Sequence, residues 1–337
     1  MREVLSVSAP GANTTTHRRG WLQSSALLII VAVLAVFAWL SPLFLTLMNL
    51  GNVLQQTAVV GTLALGLTLV LSSGGAQTLT GGIDLSVAST MGLCAAIFAT
   101  QVSQGSSVGV AIVLTLLTGG AVGVFNALAI VWGGILPLLA TLTSMNIAVG
   151  LEMVVTGNAS VPVSTPLQDL LISSGPLGIS WLAWAFLLLA LGVIFSAQQT
   201  VLGARLQAVG SHPQAARAAG IAVAHYRAGS YILCGVSAAI AAIASVSLLS
   251  GSSPGANEHL LMVIAAVLLG VVFSRRLVPT LAGSLVAALF LSLIANGFQL
   301  INVSSYWING VEGVLILLVV SLTALLRRRQ SRRTLHV

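Results

Sequence analysis

The sequence predicts an all-α polytopic membrane protein with about ten transmembrane helices, and three observations carry that prediction. First, the chain is 57% hydrophobic and only 6% charged, with a mean hydropathy of +1.05. A soluble domain carries roughly 25% charged residues, so too little polar surface is left here to coat a water-exposed globule. Second, apolar runs of spanning character recur ten times, at 22–40, 55–72, 85–101, 107–131, 137–157, 178–196, 229–250, 260–274, 279–296 and 309–326, the eighth being short. Third, all thirteen basic residues are arginine, and every one falls on the same side of a ten-span topology. The positive-inside rule makes that side cytoplasmic and puts both termini there.

The elements follow in chain order. Residues 1–21 form a cytoplasmic tail with Arg2, Arg18 and Arg19. The His17-Arg18-Arg19 start faintly resembles a twin-arginine export signal. The following run is too long and ends in AWLSP instead of small residues, so an uncleaved first span is expected. Residues 22–326 form the membrane domain, and 327–337 a basic cytoplasmic tail. Between the second and third runs, SSGGAQTLTGGIDLS predicts a broken or re-entrant segment near 73–84, with Gly81 and Gly82 turning the chain and Asp84 and Ser86 opening the next helix. Asp84 is one of six acids in 337 residues. It can cap free N–H groups at the positive helix end, or line the route of a solute.

The longest cytoplasmic connection, 197–228, carries Arg205, Arg217 and Arg227. Within it SHPQAARAAG predicts a short helix over 211–220. Ser211 or His212 serves as the cap, Pro213 takes the first position, and Gly220 makes the stop. Ala215 and Ala216 leave its face narrow enough for another surface to approach. The helix is either a solvated linker or a docking knob for a cytoplasmic partner.

Inside the spans, polar residues are costly and mark either helix–helix hydrogen bonds or a path. Asn126 in the fourth run, Thr141, Thr143, Ser144, Asn146 and Glu152 in the fifth, Asn296 and Gln299 at the end of the ninth, and Asn309 and Glu312 in the tenth are the candidates. Hydroxyls and amides suit an uncharged, hydroxyl-rich solute better than an ion. Gly119 and Gly123 form a G-x-x-x-G pair, whose ordinary use is close helix packing.

Several function classes are excluded or weakened. With no lysine, neither a phosphate-binding loop nor a Schiff base is possible, so ATP must sit on another chain if it is used. Scattered arginines form no nucleic-acid face, and Cys94 and Cys234 read as small buried residues. Residues 251–255, GSSPG, match G-x-S-x-G but lack the strand and helix a nucleophile elbow needs. No cysteine pair or His-Glu-x-x-His has metal-ligand spacing. An ion-coupled secondary transporter is the alternative function, with Glu152, Glu312 and Asp84 as its titratable groups.

GGIDLSVAS at 81–89 closely resembles the signature of permeases from bacterial ribose-type sugar ABC importers. The resemblance extends over about 55–325. It continues through NALAIVWGGILPLLATLTSMNIAVGL, VLGARLQAVGSHPQAARAAGI, IAAVLLG and LIANGFQLINVSSYWINGVEGVLILL. Three departures stand out. GAQTLT precedes the signature, Gly203-Ala204-Arg205 is one residue longer than the family's Gly-Arg, and GVVFSRRLVPTLAG replaces a glycine-rich turn. The resemblance implies a multi-pass permease subunit in the bacterial inner membrane that carries no cofactor itself. Its implied partners are a cytoplasmic ATPase holding ATP-Mg, a second permease subunit, a periplasmic sugar-binding protein and membrane lipid. The 211–220 helix, with Arg205, is the implied ATPase contact.

Overall fold

The computed structural model describes residues 31–74, 82–255, 258–274 and 278–303, together with 307, 310, 313 and 314. Twelve helices run through them: α1 (Val31–Leu40), α2 (Leu47–Gly74), α3 (Val87–Ser103), α4 (Val108–Ala127), α5 (Pro137–Thr156), α6 (Pro166–Ile172), α7 (Trp181–Gln199), α8 (Val201–Ser211), α9 (Pro213–Ala218), α10 (Val223–Leu249), α11 (His259–Val272) and α12 (Leu281–Leu300). A two-residue antiparallel ribbon, β1 (Val161–Pro162) with β2 (Gly251–Ser252), ties the loop after α5 to the loop after α10.

Six of these segments are long and apolar enough to cross a bilayer, the α4 segment being counted on to Trp132. The shorter apolar helices α1, α3 and α11 fall on the first, third and eighth predicted runs. The tenth run, the terminal tails, Gly81, Asn309, Glu312 and most of the arginines lie outside the described residues. The chain is thus an all-α multi-pass membrane protein.

Helix α2 is the axis of the bundle. Nearly all of its length is buried, and α7, α8, α10, α11 and α12 pack around it. Its last turn meets the start of α10 through Ser73 Oγ and Ser230 Oγ at 2.7 Å. Its first turn meets the end of α12, where Asn49 Nδ2 donates to Asn296 Oδ1 at 2.8 Å. Both neighbours therefore run antiparallel to it. A second core cluster of Phe37, Phe44, Phe290 and Ile294 closes that corner.

Glycines set the tightest crossings. A Cβ on Gly119 would lie 2.3 Å from Gly235 O, and one on Gly123 would lie 2.6 Å from Tyr231 O. The G-x-x-x-G pair thus packs α4 directly on the backbone of α10. Gly210 does the same for α8, since its Cβ would sit 1.9 Å from Ser72 O at the end of α2.

These contacts sort the helix ends into two faces. One carries the end of α2, the start of α10, and α8 and α9 with Arg205, Arg217 and Arg227. The opposite face carries β1, β2 and α6, with Asp169.

Candidate functional site: a buried polar node and an exposed short helix

Most of the break expected near 73–84 lies outside the described residues, and Ser73 and Gly74 still belong to α2. Residues 82–86 are not α-helical, and a Cβ on Gly82 would come within 3.0 Å of Gly74 Cα. The chain thus returns beside the end of α2 before α3 begins. Asp84 follows, 2% exposed. Its Oδ1 accepts from the Ser86 backbone N–H at 2.9 Å and from Ser86 Oγ at 2.6 Å. This is an Asx-type turn, in which the carboxylate takes up an N–H that the start of a helix leaves free. Ser86 is the residue that flanks α3, and its own side chain makes no cap bond to the helix.

The same carboxylate reaches further. Asn126, fully buried on α4, donates through Nδ2 to Ser86 Oγ at 2.9 Å and to Asp84 Oδ1 at 3.5 Å. Asn126 Oδ1 accepts from Ser144 Oγ on α5. Cys234 on α10 lies beside the Asp84 carboxyl. Four helices therefore meet at one polar node in the core. Just after Asn126, residues Leu128–Trp132 widen into a π-turn, with Gly133 N–H bonding Leu128 O at 2.8 Å. Such bulges occur mostly where a helix must be re-aimed or must yield, frequently at functional sites.

The remaining candidates do not join the node. Thr141 is buried and donates to its own helix at Pro137 O, 2.8 Å. Thr143 and Asn146 lie on the exposed side of α5, bonded only to Leu139 O and Leu142 O of the same helix. Their neighbours on that side, Ile147 and Leu151, are exposed too. Asn296 belongs to the corner with Asn49 at the other end of α2. The pathway set thus splits into a buried pair, Asn126 and Ser144, an exposed pair, and two residues placed apart.

The 197–228 connection meets expectation in part. Where a single helix over 211–220 was expected, α8 and α9 meet at His212. Of the two cap candidates, His212 takes the position flanking α9, while Ser211 ends α8 and its hydroxyl donates back to Ala208 O at 3.3 Å. Ala216 does not sit on the outer face. It is 4% exposed and packs with Val209 and Val223 beneath α9. Ala215 and Arg217 are exposed, and Pro213 occupies the first position as expected.

Gly220 is the stop. Its φ is +77°, its N–H bonds Arg217 O, and Ile221 N–H bonds Ala216 O. That pair of bonds is a Schellman closure, which needs a left-handed residue at this position. Gly220→Val should cost about 1–2 kcal/mol there and fray the last turn. Tryptic cleavage after Arg217 is expected to speed up, with the transmembrane helices untouched; an unchanged cleavage rate contradicts this placement.

Sequence reasoning missed α8, α6, the π-turn and the ribbon. The ribbon also runs into the GSSPG string, where the sequence pointed to no strand. Gly251 and Ser252 are strand residues, and Ser253 Oγ bonds only Pro254 O at 3.5 Å. Among the described residues no group of three or more His, Cys, Asp or Glu could hold a metal.

Comparison with known proteins agrees with this architecture. The ribose import permease protein of Escherichia coli strain K12 is 35% identical over 308 residues, covering 90% of this chain and 94% of that protein. Its Bacillus subtilis strain 168 counterpart is 33% identical, covering 90% and 91%. The L-arabinose ABC transporter permease protein of Azospirillum brasilense is 30% identical, covering 92% and 90%. No solved structure matches the chain. The model of one family, described as branched-chain amino acid transport system / permease component, matches residues 49–320, and the chain therefore belongs to that family of transport permeases.

Proposed function

We propose that this chain is the membrane-spanning subunit of an ATP-driven importer for a sugar or sugar-like neutral solute in a bacterial inner membrane. A periplasmic binding protein delivers the solute, two permease subunits enclose its path, and ATP is hydrolysed on a separate cytoplasmic subunit. The relatives support the solute class, since those above are named for ribose and L-arabinose. In this reading the exposed side of α5, with Thr143 and Asn146, faces the second subunit across the path, while Asn126 and Ser144 hold α5 to the rest of the bundle.

The observation that carries the proposal is the build of α9. It is a closed, six-residue helix on the arginine-bearing face, and it presents Ala215, Arg217 and Ala218 outward. Beneath it a continuous packed route leads inward. Ala216 sits on Val209 of α8, and Gly210 of α8 sits on Ser72 of α2. Ser73 bonds Ser230 of α10, α10 reaches Asp84 through Cys234, and Asn126 passes the contact to Ser144 on α5. A push on α9 from a closing ATPase can travel that route as rigid displacement of packed helices.

Arg217→Glu tests it. The side chain is exposed, so folding and membrane insertion should be unchanged. Reversing one charge at a docking face is expected to lower ATP-driven uptake about tenfold or more. Normal uptake, with normal recovery of the ATPase on the purified complex, overturns the role given to α9.

A further inference from the structure

A groove of about 620 Å³ runs down the outside of the bundle between α2, α7, α8 and α10. We propose that it is a binding site for one anionic phospholipid of the surrounding bilayer, with the acyl chain in the groove and the phosphate on Arg205. The inference rests on the membrane-spanning fold and not on the solute.

The wall is built for alkyl chain and against polar solute. Most of its lining residues are Leu, Val, Ile, Ala or Gly. Its four Ser and Thr hydroxyls, Thr62, Ser196, Ser230 and Ser237, each donate to a carbonyl of their own helix. None has its proton left over to donate to a sugar. Leu188, Leu202 and Leu233 stand exposed along it, so the groove is open to the side. Two glycines widen it, Gly192 on α7 and Gly229 on α10. A Cβ on either would meet nothing within 4 Å.

Length and charge select the occupant. The lining runs from Tyr226 to Ile240 along α10, about 21 Å at 1.5 Å per residue. One leaflet's share of the hydrocarbon core is about 15 Å, so an extended acyl chain is accommodated. At the mouth, exposed Arg205 bonds Tyr226 OH at 3.4 Å, with His225 beside it. No described acid neutralises this mouth. Asp84 is buried in the node, and Glu152, Asp169 and Glu258 sit on or beside α5, α6 and α11. Basic pockets between transmembrane helices on the cytoplasmic side are where anionic headgroups bind. A second copy of this chain is a poorer occupant. A two-fold contact through this groove would set Arg205 and His225 against their own duplicates with no acid between them.

Such a lipid would wedge α7 and α8 against α10 and so steady the base from which α9 projects. Native mass spectrometry of the purified full-length chain, titrated with phosphatidylglycerol or phosphatidylcholine, tests this. Phosphatidylglycerol is expected to be retained about fivefold better, and Arg205→Gln to remove that preference. Gly192→Phe and Gly229→Phe, which fill open space, should lower retention of both lipids without lowering the unfolding temperature. Equal retention of the two lipids overturns the proposal. So do groove variants that hold phosphatidylglycerol as the parent chain does. A Gly229→Phe chain that loses a dimer while keeping its lipid assigns the groove to a second copy instead.

Discussion

Gly235→Leu is expected to abolish recovery of folded chain. A side chain at this position starts 2.1 Å from Gly119 O and 3.0 Å from Gly123 N. Both are backbone atoms of α4, so no rotamer relieves the overlap and the helices must part. Close backbone approach is the chief source of association between apolar helices, because lipid solvates their side chains as well as protein does. Losing it along the α4–α10 contact should cost more than about 4 kcal/mol. Detergent extraction followed by size-exclusion chromatography reads the result. Gly120→Ala is the matched control on the same helix. Its Cβ would meet only Val236 Cγ2 at 3.9 Å, an ordinary contact, so recovery should be unchanged. Equal loss in both variants would contradict the crossing described here.

Asn126→Leu should uncouple transport and weaken the bundle together. The amide supplies one donor group shared by Ser86 and Asp84 and the acceptor for Ser144. Leucine fills a similar space but leaves three buried polar groups short of partners, which should cost about 2–3 kcal/mol in this setting. Uptake is expected to fall to background, because α5 loses its only side-chain bond to α4 among the described residues. Asn146→Leu separates path from scaffold. Asn146 bonds only its own helix on an exposed side, so stability should change by less than about 0.5 kcal/mol. A loss of uptake in that stable variant places Asn146 on the path; unimpaired uptake removes it.

The sequence shows best what is local and long. Runs of apolar residues placed α5 at 137–157, where the helix is Pro137–Thr156, and the seventh span at 229–250, where α10 is Val223–Leu249. The α10 start was missed because AHYRAGS is polar, so hydropathy ends where the helix leaves the apolar layer. Pro213 and Gly220 were legible because each carries its backbone constraint in its own chemistry. Ala216 was not, since burial of one alanine depends on Val209 and Val223, neither of which marks the position in sequence. The node was legible only in parts. Asp84, Asn126 and Ser144 each stood out as polar residues in apolar runs, yet their meeting spans 42 and 18 residues of chain and is decided by helix packing. Thr143, one residue from Ser144, shows the reverse limit. The same composition on the other side of α5 faces away from the bundle, and the weak amphipathicity of a membrane helix does not reveal which side is which.

The central claim is that α9 is the point at which an ATPase drives this permease, and site-directed cross-linking tests it most directly. Cys94 and Cys234 are both buried, so a thiol introduced by Ala215→Cys is the one most open to reagent among the described residues. In native membranes energised with ATP, cross-linking from that position should capture an ATP-binding-cassette subunit, and the same reagent should stop uptake. Capture of no ATPase from Ala215→Cys or from the likewise exposed Ala219→Cys, with uptake continuing on an ion gradient alone, would contradict the claim and favour a transporter that works without ATP.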